Sequence, residues 1–234
     1  MANKTPMPSL AKLRQLDISQ VDYWVFDLDN TIYPANSGLF SRVAERMTIF
    51  IMDHFDLDHD AAAEMKTRLF RQYGTTMRGL MSEFNMDPEL FLAYVHEIDL
   101  SDVEKDRELD QYLSELKGRK LIYTNGTVRH ASRILEAFGI MHHFDFIFDI
   151  FDSDHTPKPD PRPYQMFVTK SGIDPRHAVM IEDMARNLEP AAALGMKTVW
   201  LANDHDWGQK GADQDFVHFR AADLKAFLSA IVKL

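Results

Sequence analysis

Five short apolar runs, nearly unbroken and rich in Val, Ile, Phe and Tyr, set the strongest limit on how this chain folds. They occupy residues 23–28, 120–123, 144–148, 178–181 and 197–201. A strand with one wet face alternates apolar and polar residues, whereas a strand covered on both faces does not. Continuous runs therefore predict a parallel sheet with helices above and below it. The segments between them carry the helical period. Residues 129–138 place Ala131, Ile134, Leu135 and Phe138 on one face, and Gly139 follows as a stop. Residues 163–171 and 188–194 read the same way, ahead of Gly172 and Gly195. Strand and helix in alternation predict an α/β fold with a doubly wound parallel sheet, a Rossmann-like core.

One stretch breaks the alternation. Between about residues 37 and 103 no segment reads as a strand. Phe40, Val43, Ala44, Met47, Phe50 and Ile51 recur at helical spacing, as do Met65, Leu69 and Phe70, and then Leu90, Phe91, Tyr94 and Val95. The expectation is a bundle of about four helices, an inserted domain over 37–103 within an α/β core domain of 1–36 and 104–234. Its Met and aromatic stripes read as packing. A chain of 234 residues buries enough surface to fold without a staple. It has no cysteine, which excludes disulfides, zinc thiolates and a cysteine nucleophile. The net charge of −10 repels phosphate backbones, so nucleic acid is not an expected partner. No stretch approaches 18 apolar residues, so no membrane span is expected. The first 20 residues lack an apolar run of the signal-peptide kind, and the cytoplasm is the default location. A symmetric dimer is compatible with the sequence and not demanded by it.

The residues able to do chemistry gather at the ends of the apolar runs. The first run ends in Phe26-Asp27-Leu28-Asp29-Asn30-Thr31. In open α/β sheets ligands bind outside the carboxyl ends of the strands. Two carboxylates that close are costly unless a cation lies between them, and a hard divalent ion such as Mg²⁺ suits their oxygens. Taken alone, the pair also reads as a solvated turn. The second run ends in Tyr123-Thr124-Asn125-Gly126, which offers a hydroxyl and backbone N–H groups ahead of a helix. That is an anion cradle or simply a turn. Lys158 stands among prolines at 157, 159, 161 and 163. They either stiffen the loop around one ammonium or leave it on the surface. The fourth run ends in Ile181-Glu182-Asp183, with Asn187 four residues beyond Asp183. Two acidic clusters, a hydroxyl and one lysine at neighbouring strand ends make a metal-assisted phosphate site.

In this order, Asp27-Leu28-Asp29-Asn30-Thr31, Thr124-Asn125-Gly126, Lys158-Pro159 and Glu182-Asp183 resemble the haloacid dehalogenase-like hydrolases, from about Asp22 to Leu201. The inserted helices match the cap domain of that superfamily. The wording of residues 26–34, of Tyr73-Gly74-Thr75-Thr76-Met77-Arg78-Gly79-Leu80 and of residues 91–99 resembles the pyrimidine 5′-nucleotidase branch. The resemblance implies that Asp27 is the nucleophile and that Asp29 is the general acid and base. It implies that Asp27, the backbone carbonyl of Asp29, Glu182 and Asp183 hold Mg²⁺, without saying which of the last two binds directly. Leu28, Thr124, Asn125, Gly126 and Lys158 would bind the phosphoryl oxygens, and Asn187 would support the acidic loop. In the cap, Tyr73, Thr75, Thr76 and Arg78 are candidate substrate contacts, with helix packing as the alternative.

The expected reaction is Mg²⁺-dependent hydrolysis of a small phosphorylated metabolite, a pyrimidine nucleoside 5′-monophosphate. Dehalogenase relatives typically lack the second aspartate, which is present here as Asp29. A phosphatase or phosphomutase on sugar phosphates keeps the same aspartates, and a non-catalytic nucleotide-binding module keeps the fold; both stay open as alternatives. The adjacent His142 and His143 are expected to point apart and not to chelate. Asp204-His205-Asp206-Trp207 reads as a solvated loop. No G-x-S-x-G elbow and no P-loop are present.

Overall fold

Successive side chains of a strand face opposite ways, and here each face meets its own apolar core. The computed structural model describes residues 16–233. The first 15 residues of the expected core domain, and most of the stretch read for a signal-like run, lie outside them. The strands are β1 (Tyr23–Phe26), β2 (Arg119–Tyr123), β3 (Phe146–Phe148), β4 (Ala178–Glu182), β5 (Lys197–Leu201) and β6 (Phe219–Ala221). They form one sheet in the order β3-β2-β1-β4-β5-β6, and every pairing is parallel. Trp24, Phe26, Ile122, Val179, Ile181 and Val199 point into one core. Val25, Leu121, Tyr123, Met180 and Trp200 point into the other. Burial on both faces is why these runs are continuous in sequence. The edge strand β6 was not foreseen: Phe219 and Ala221 flank Arg220, a segment too short to show a period.

The helices follow from the same sequence signals. In the bundle they are α1 (Leu39–Phe55), α2 (His59–Tyr73), α3 (Thr76–Phe84) and α4 (Pro88–Val95). Asp58, Thr75 and Asp87 cap the last three by accepting backbone N–H groups. At Gly79 a Cβ would lie 2.7 Å from Leu69 Cβ, so glycine allows α3 to press against α2. Around the sheet lie α5 (Arg107–Glu115), α6 (Val128–Phe138), α7 (Pro161–Ser171), α8 (Glu189–Ala193), α9 (Asp206–Gln209) and α10 (Leu224–Ile231). Asp206 and Trp207, read as part of the solvated loop 204–207, instead open the one-turn α9. The core containing Trp24 and Phe26 takes in Ile134 and Leu135 of α6, Phe227 of α10, and Ile51, Leu69 and Phe91 of the bundle. Tyr164 and Phe167 of α7 cover the opposite face. Among the described residues no helix is long and apolar enough to cross a membrane.

Register positions the site. Phe26 is level with Ile122 and with Ile181. Asp27 and Glu182, one residue further on, therefore leave adjacent strands at the same height. Strand order reverses between β1 and β4, where an open α/β sheet leaves its crevice.

Candidate active site

The Asp27 N–H donates to Ile181 O at 3.0 Å, extending the β1–β4 ladder by one residue. The chain then turns: Thr31 and Ile32 both donate N–H groups to Leu28 O, and Asn30 adopts φ 62°. Asparagine tolerates that left-handed conformation. The turn separates the two aspartates. Asp27 faces β4 and the loop before α7, while Asp29 faces α6.

Lys158 is 2% exposed. Its Nζ donates to Asp27 Oδ1 at 2.7 Å, to Glu182 Oε1 at 2.8 Å and to Tyr123 O at 3.0 Å. Its backbone N–H donates to Asn125 Oδ1 at 2.9 Å, which pins the loop at its base. All three ammonium protons thus have acceptors, so a phosphoryl oxygen reaches Lys158 only by sharing or displacing one of them. Burial alone would lower the lysine pKa, but the Asp27 and Glu182 charges raise it above its ordinary value and keep the ammonium charged.

The carboxylates carry more negative charge than Lys158 can balance. Asp27, Glu182 and Asp183 are all buried, and each offers an oxygen within 4.8 Å of the others. Burial pushes the Asp27 carboxyl up to about 7, with Glu182 adding to it and Lys158 opposing. Burial and then the Glu182 and Asp27 charges push Asp183 well above the carboxylate range. The three buried carboxylates outnumber the ammonium bonded to them, with the Arg186 charge felt at Glu182 from further off, and all the donors are hard oxygens, which suits a divalent ion. The residues fit Mg²⁺. They also differ in freedom. Glu182 Oε1 already accepts from Lys158 and from Asn187 Nδ2 at 2.6 Å, and Oε2 accepts the Met184 N–H at 2.6 Å. The Asp183 carboxylate accepts no N–H hydrogen bond among the described residues, while its backbone carbonyl is held by Trp200 Nε1 at 2.9 Å and Asn203 Nδ2 at 2.7 Å.

Next to this cluster, Thr124 Oγ1 accepts the Gly126 N–H at 2.9 Å. The expected cradle is therefore partly occupied: the Gly126 N–H is engaged, while the Thr124 hydroxyl proton and the Asn125 N–H have no acceptor among the described residues. Leu28 is fully buried, and its carbonyl closes the turn.

A family model for haloacid dehalogenase-like hydrolases matches residues 24–201. The chain belongs to the haloacid dehalogenase-like hydrolases. It is 27% identical over 222 residues to pyrophosphatase PpaX of Bacillus pumilus, covering 91% of this chain and 98% of that one. It is 26% identical over 199 residues to phosphate metabolism protein 8 of Saccharomyces cerevisiae, covering 78% of this chain and 62% of that protein. The chain thus spans less than two thirds of the yeast relative. In fold it is similar to the Bacillus subtilis hydrolase YfnB bound to magnesium, with a TM-score of 0.57, 15% identity, and coverage of 92% and 99%.

In this hydrolase the four singled-out cap residues divide. Thr75 Oγ1 accepts the Arg78 N–H, Thr76 Oγ1 donates to Lys66 O, and the Tyr73 hydroxyl accepts from Gln72. These contacts lie within the bundle. Arg78 is half-buried, and its charge is felt at Asp160 of the α/β core, whose carboxyl is held low chiefly by hydrogen bonds from Arg162. His142 and His143 correct the expectation drawn from adjacency. Both Nε2 atoms converge on Asp110 Oδ1, at 3.3 and 2.7 Å. The tight 3₁₀ turn Met141–His143 presents both rings to one acceptor.

The sequence reading missed His130 and His96. His130 Nε2 lies 2.9 Å from Asp29 Oδ1, and the Tyr33 hydroxyl donates to the same oxygen. Burial alone would raise the Asp29 pKa; the His130 charge and hydrogen bond, with Tyr33, outweigh it and lower it to about 2. His96 stacks on His130, ring centroids 4.3 Å apart. The available signal was position: His130 lies in the first turn of the helix that follows Thr124-Asn125-Gly126.

Burial, with His130 alongside, holds His96 neutral and lowers its pKa from 6.5 to about 3. Below pH 6.5 the unfolded chain takes a proton there that the folded chain refuses. Stability is full above pH 6.5 and is lost as pH falls toward 3, by up to about 1.4 kcal/mol per pH unit. Between pH 7.5 and pH 5 the wild type is expected to lose about 2 kcal/mol through this site, and His96→Asn to be spared that loss. Urea unfolding at the two pH values measures the difference; equal losses would clear His96.

Proposed function

We propose that this chain is a Mg²⁺-dependent phosphomonoesterase that forms an aspartyl-phosphate on Asp27 and acts on small phosphorylated metabolites. The observation that carries the reading is the buried set of Asp27, Lys158, Glu182 and Asp183 at the carboxyl ends of β1 and β4, with Asp29 held on the other side of the turn. Asp27 Oδ1 is taken by Lys158, which leaves Oδ2 to attack phosphorus. The new bond joins Oδ2 to phosphorus as the bond to the leaving oxygen breaks. Asp29 delivers a proton to that oxygen, then takes one from the water that attacks the aspartyl-phosphate. Its lowered pKa suits the second step; a phosphate dianion close by raises it for the first. The Thr124 hydroxyl, the N–H groups of Leu28 and Asn125, and Lys158 meet the phosphoryl oxygens.

Asp27, the Asp29 carbonyl and Asp183 would hold Mg²⁺: the Asp27 carboxylate accepts from Lys158 alone among the described residues and keeps room on that oxygen, whereas the Glu182 oxygens together accept from Lys158, Asn187 and Met184. When bound, Mg²⁺ supplies the positive charge that keeps Asp27 ionised and offsets the phosphoryl charge. The bundle over residues 37–103 serves as the cap, and Arg78 is its contact to the substrate. The names of the yeast and Bacillus pumilus relatives, each referring to phosphate chemistry, support the substrate class. The resemblance of residues 26–34, 73–80 and 91–99 to pyrimidine 5′-nucleotidases supports pyrimidine nucleoside 5′-monophosphates within it.

The test is phosphate release from UMP, CMP, dTMP, AMP, GMP, sugar phosphates, pyrophosphate and p-nitrophenyl phosphate, with Mg²⁺ or EDTA. Mg²⁺-dependent release favouring the pyrimidine monophosphates is the expected result. A preference for sugar phosphates or pyrophosphate would keep the mechanism and discard the substrate. Silence across the panel would discard both.

A further inference from the structure

We infer that His130 is a positioning residue for Asp29, holding one carboxylate oxygen so that the other faces the reacting phosphoryl group. The inference rests on the reading of Asp29 as the proton carrier. Both hydrogen bonds to Asp29, from His130 and from Tyr33, end on Oδ1. Oδ2 accepts none among the described residues, and the Asp29 side chain keeps 20% exposure. An ionised carboxylate only accepts, so His130 Nε2 is the donor. Two donors on one oxygen fix the plane and the direction of the carboxylate, which is what proton transfer to a particular atom requires.

His130 is itself held from several sides. Its imidazole is 1% exposed. Its backbone N–H donates to Thr127 Oγ1 at 3.1 Å, within the cap of α6. Its ring lies 13° from parallel with His96, whose Nδ1 is 3.2 Å from the same Thr127 hydroxyl. Asp149, buried after β3, accepts the Val128 N–H at 2.8 Å and ties down the start of the helix. A Cβ at Gly126 would lie 3.3 Å from His130 Cδ2 and 3.7 Å from His96 Cε1. Glycine at 126 leaves room for the stacked pair. Buried polar groups are costly unless hydrogen-bonded, and the nitrogen of this one is directed to the proton carrier. His130 reaches Asp29 by this bond, so its effect on the reaction passes through Asp29.

The consequence depends on the leaving group. A p-nitrophenolate departs without a proton, whereas the more basic phenolate of phenyl phosphate needs one. The two esters are close in shape, so binding differences are small. His130→Leu is expected to lower kcat/KM with Mg²⁺ about 3-fold on p-nitrophenyl phosphate and about 30–100-fold on phenyl phosphate, within the range general acid catalysis provides. His130→Gln, which returns an N–H donor at similar reach, is expected to recover most of the loss on phenyl phosphate. If His130→Leu does not fold, Tyr33→Phe removes the other donor to Oδ1 and carries the same leaving-group dependence. Equal losses on both esters, or a glutamine variant no better than leucine, would overturn the inference and leave His130 a packing residue. A wild type inactive on both esters, or an Asp29→Asn variant as active as the wild type on phenyl phosphate, would overturn the reading of the site and the inference with it.

Discussion

Asp27→Asn is expected to abolish turnover and, in EDTA at pH 8, to raise thermal stability. Losing the nucleophile should cost about 10⁴-fold or more in kcat. The stability gain follows from electrostatics. Burial lifts the Asp27 carboxyl from 3.8 to about 7, so between about pH 4 and pH 7 the folded protein holds a proton that the unfolded chain has released. Stability therefore falls as pH rises through that window and stays low above it. Asparagine is uncharged at every pH and resembles the protonated acid. At about 1.4 kcal/mol per pKa unit, the variant should gain about 2–4 kcal/mol at pH 8. That corresponds to a Tm rise of about 5–10 °C. At pH 4 the gain should vanish, and adding Mg²⁺ should stabilise the wild type more than the variant. Calorimetry at the two pH values, with and without metal, measures all of this. A lower Tm for the variant at pH 8 would mean that the Lys158–Asp27 ion pair outweighs the burial of the carboxylate.

Lys158→Met should have the opposite effect on stability and the same effect on turnover. It removes the ammonium that touches both Asp27 and Glu182 and leaves two buried carboxylates without that cation. Breaking a buried pair from one side costs about 3–5 kcal/mol. Without the opposing ammonium the Asp27 carboxyl is pushed further up and takes a proton more readily, so the loss is smaller at low pH. The gap between wild type and variant is expected to widen from pH 5.5 to pH 8. Denaturant unfolding at both values tests it, and a gap independent of pH would place the damage in packing instead. The contrast between the variants is informative: Asp27 is tolerated by the fold for its chemistry, whereas Lys158 is needed by both.

Some of this was readable in the chain because it depends on short-range pattern. The apolar runs had to lie in a parallel sheet, since their lack of alternation demands cover on both faces. The order of motifs placed Asp27, Thr124 and Glu182 at strand ends. Parallel strands joined by helical crossovers all end on one edge, so those residues had to gather there. The helical stripes between residues 37 and 103 showed the bundle, and Gly139, Gly172 and Gly195 its neighbours' helix ends. β6 escaped because three residues carry no measurable period.

The relations between side chains were not readable. Lys158 read equally well as a surface lysine until the fold put it under Asp27 and Glu182. Nothing in Glu182-Asp183 said which carboxylate is occupied; that depends on Asn187 and the Met184 N–H turning back toward Glu182. His130 lies 101 residues from Asp29, and the adjacent His142 and His143 meet at an aspartate on a different helix. The sequence by itself determined the class of sheet, the inserted helices and the set of chemical groups. Only the tertiary structure decided how charge, protons and orientation are shared among those groups. The physical reason is that hydrophobic periodicity is a local property, whereas electrostatic and hydrogen-bond energies depend on distance and desolvation, which only packing sets.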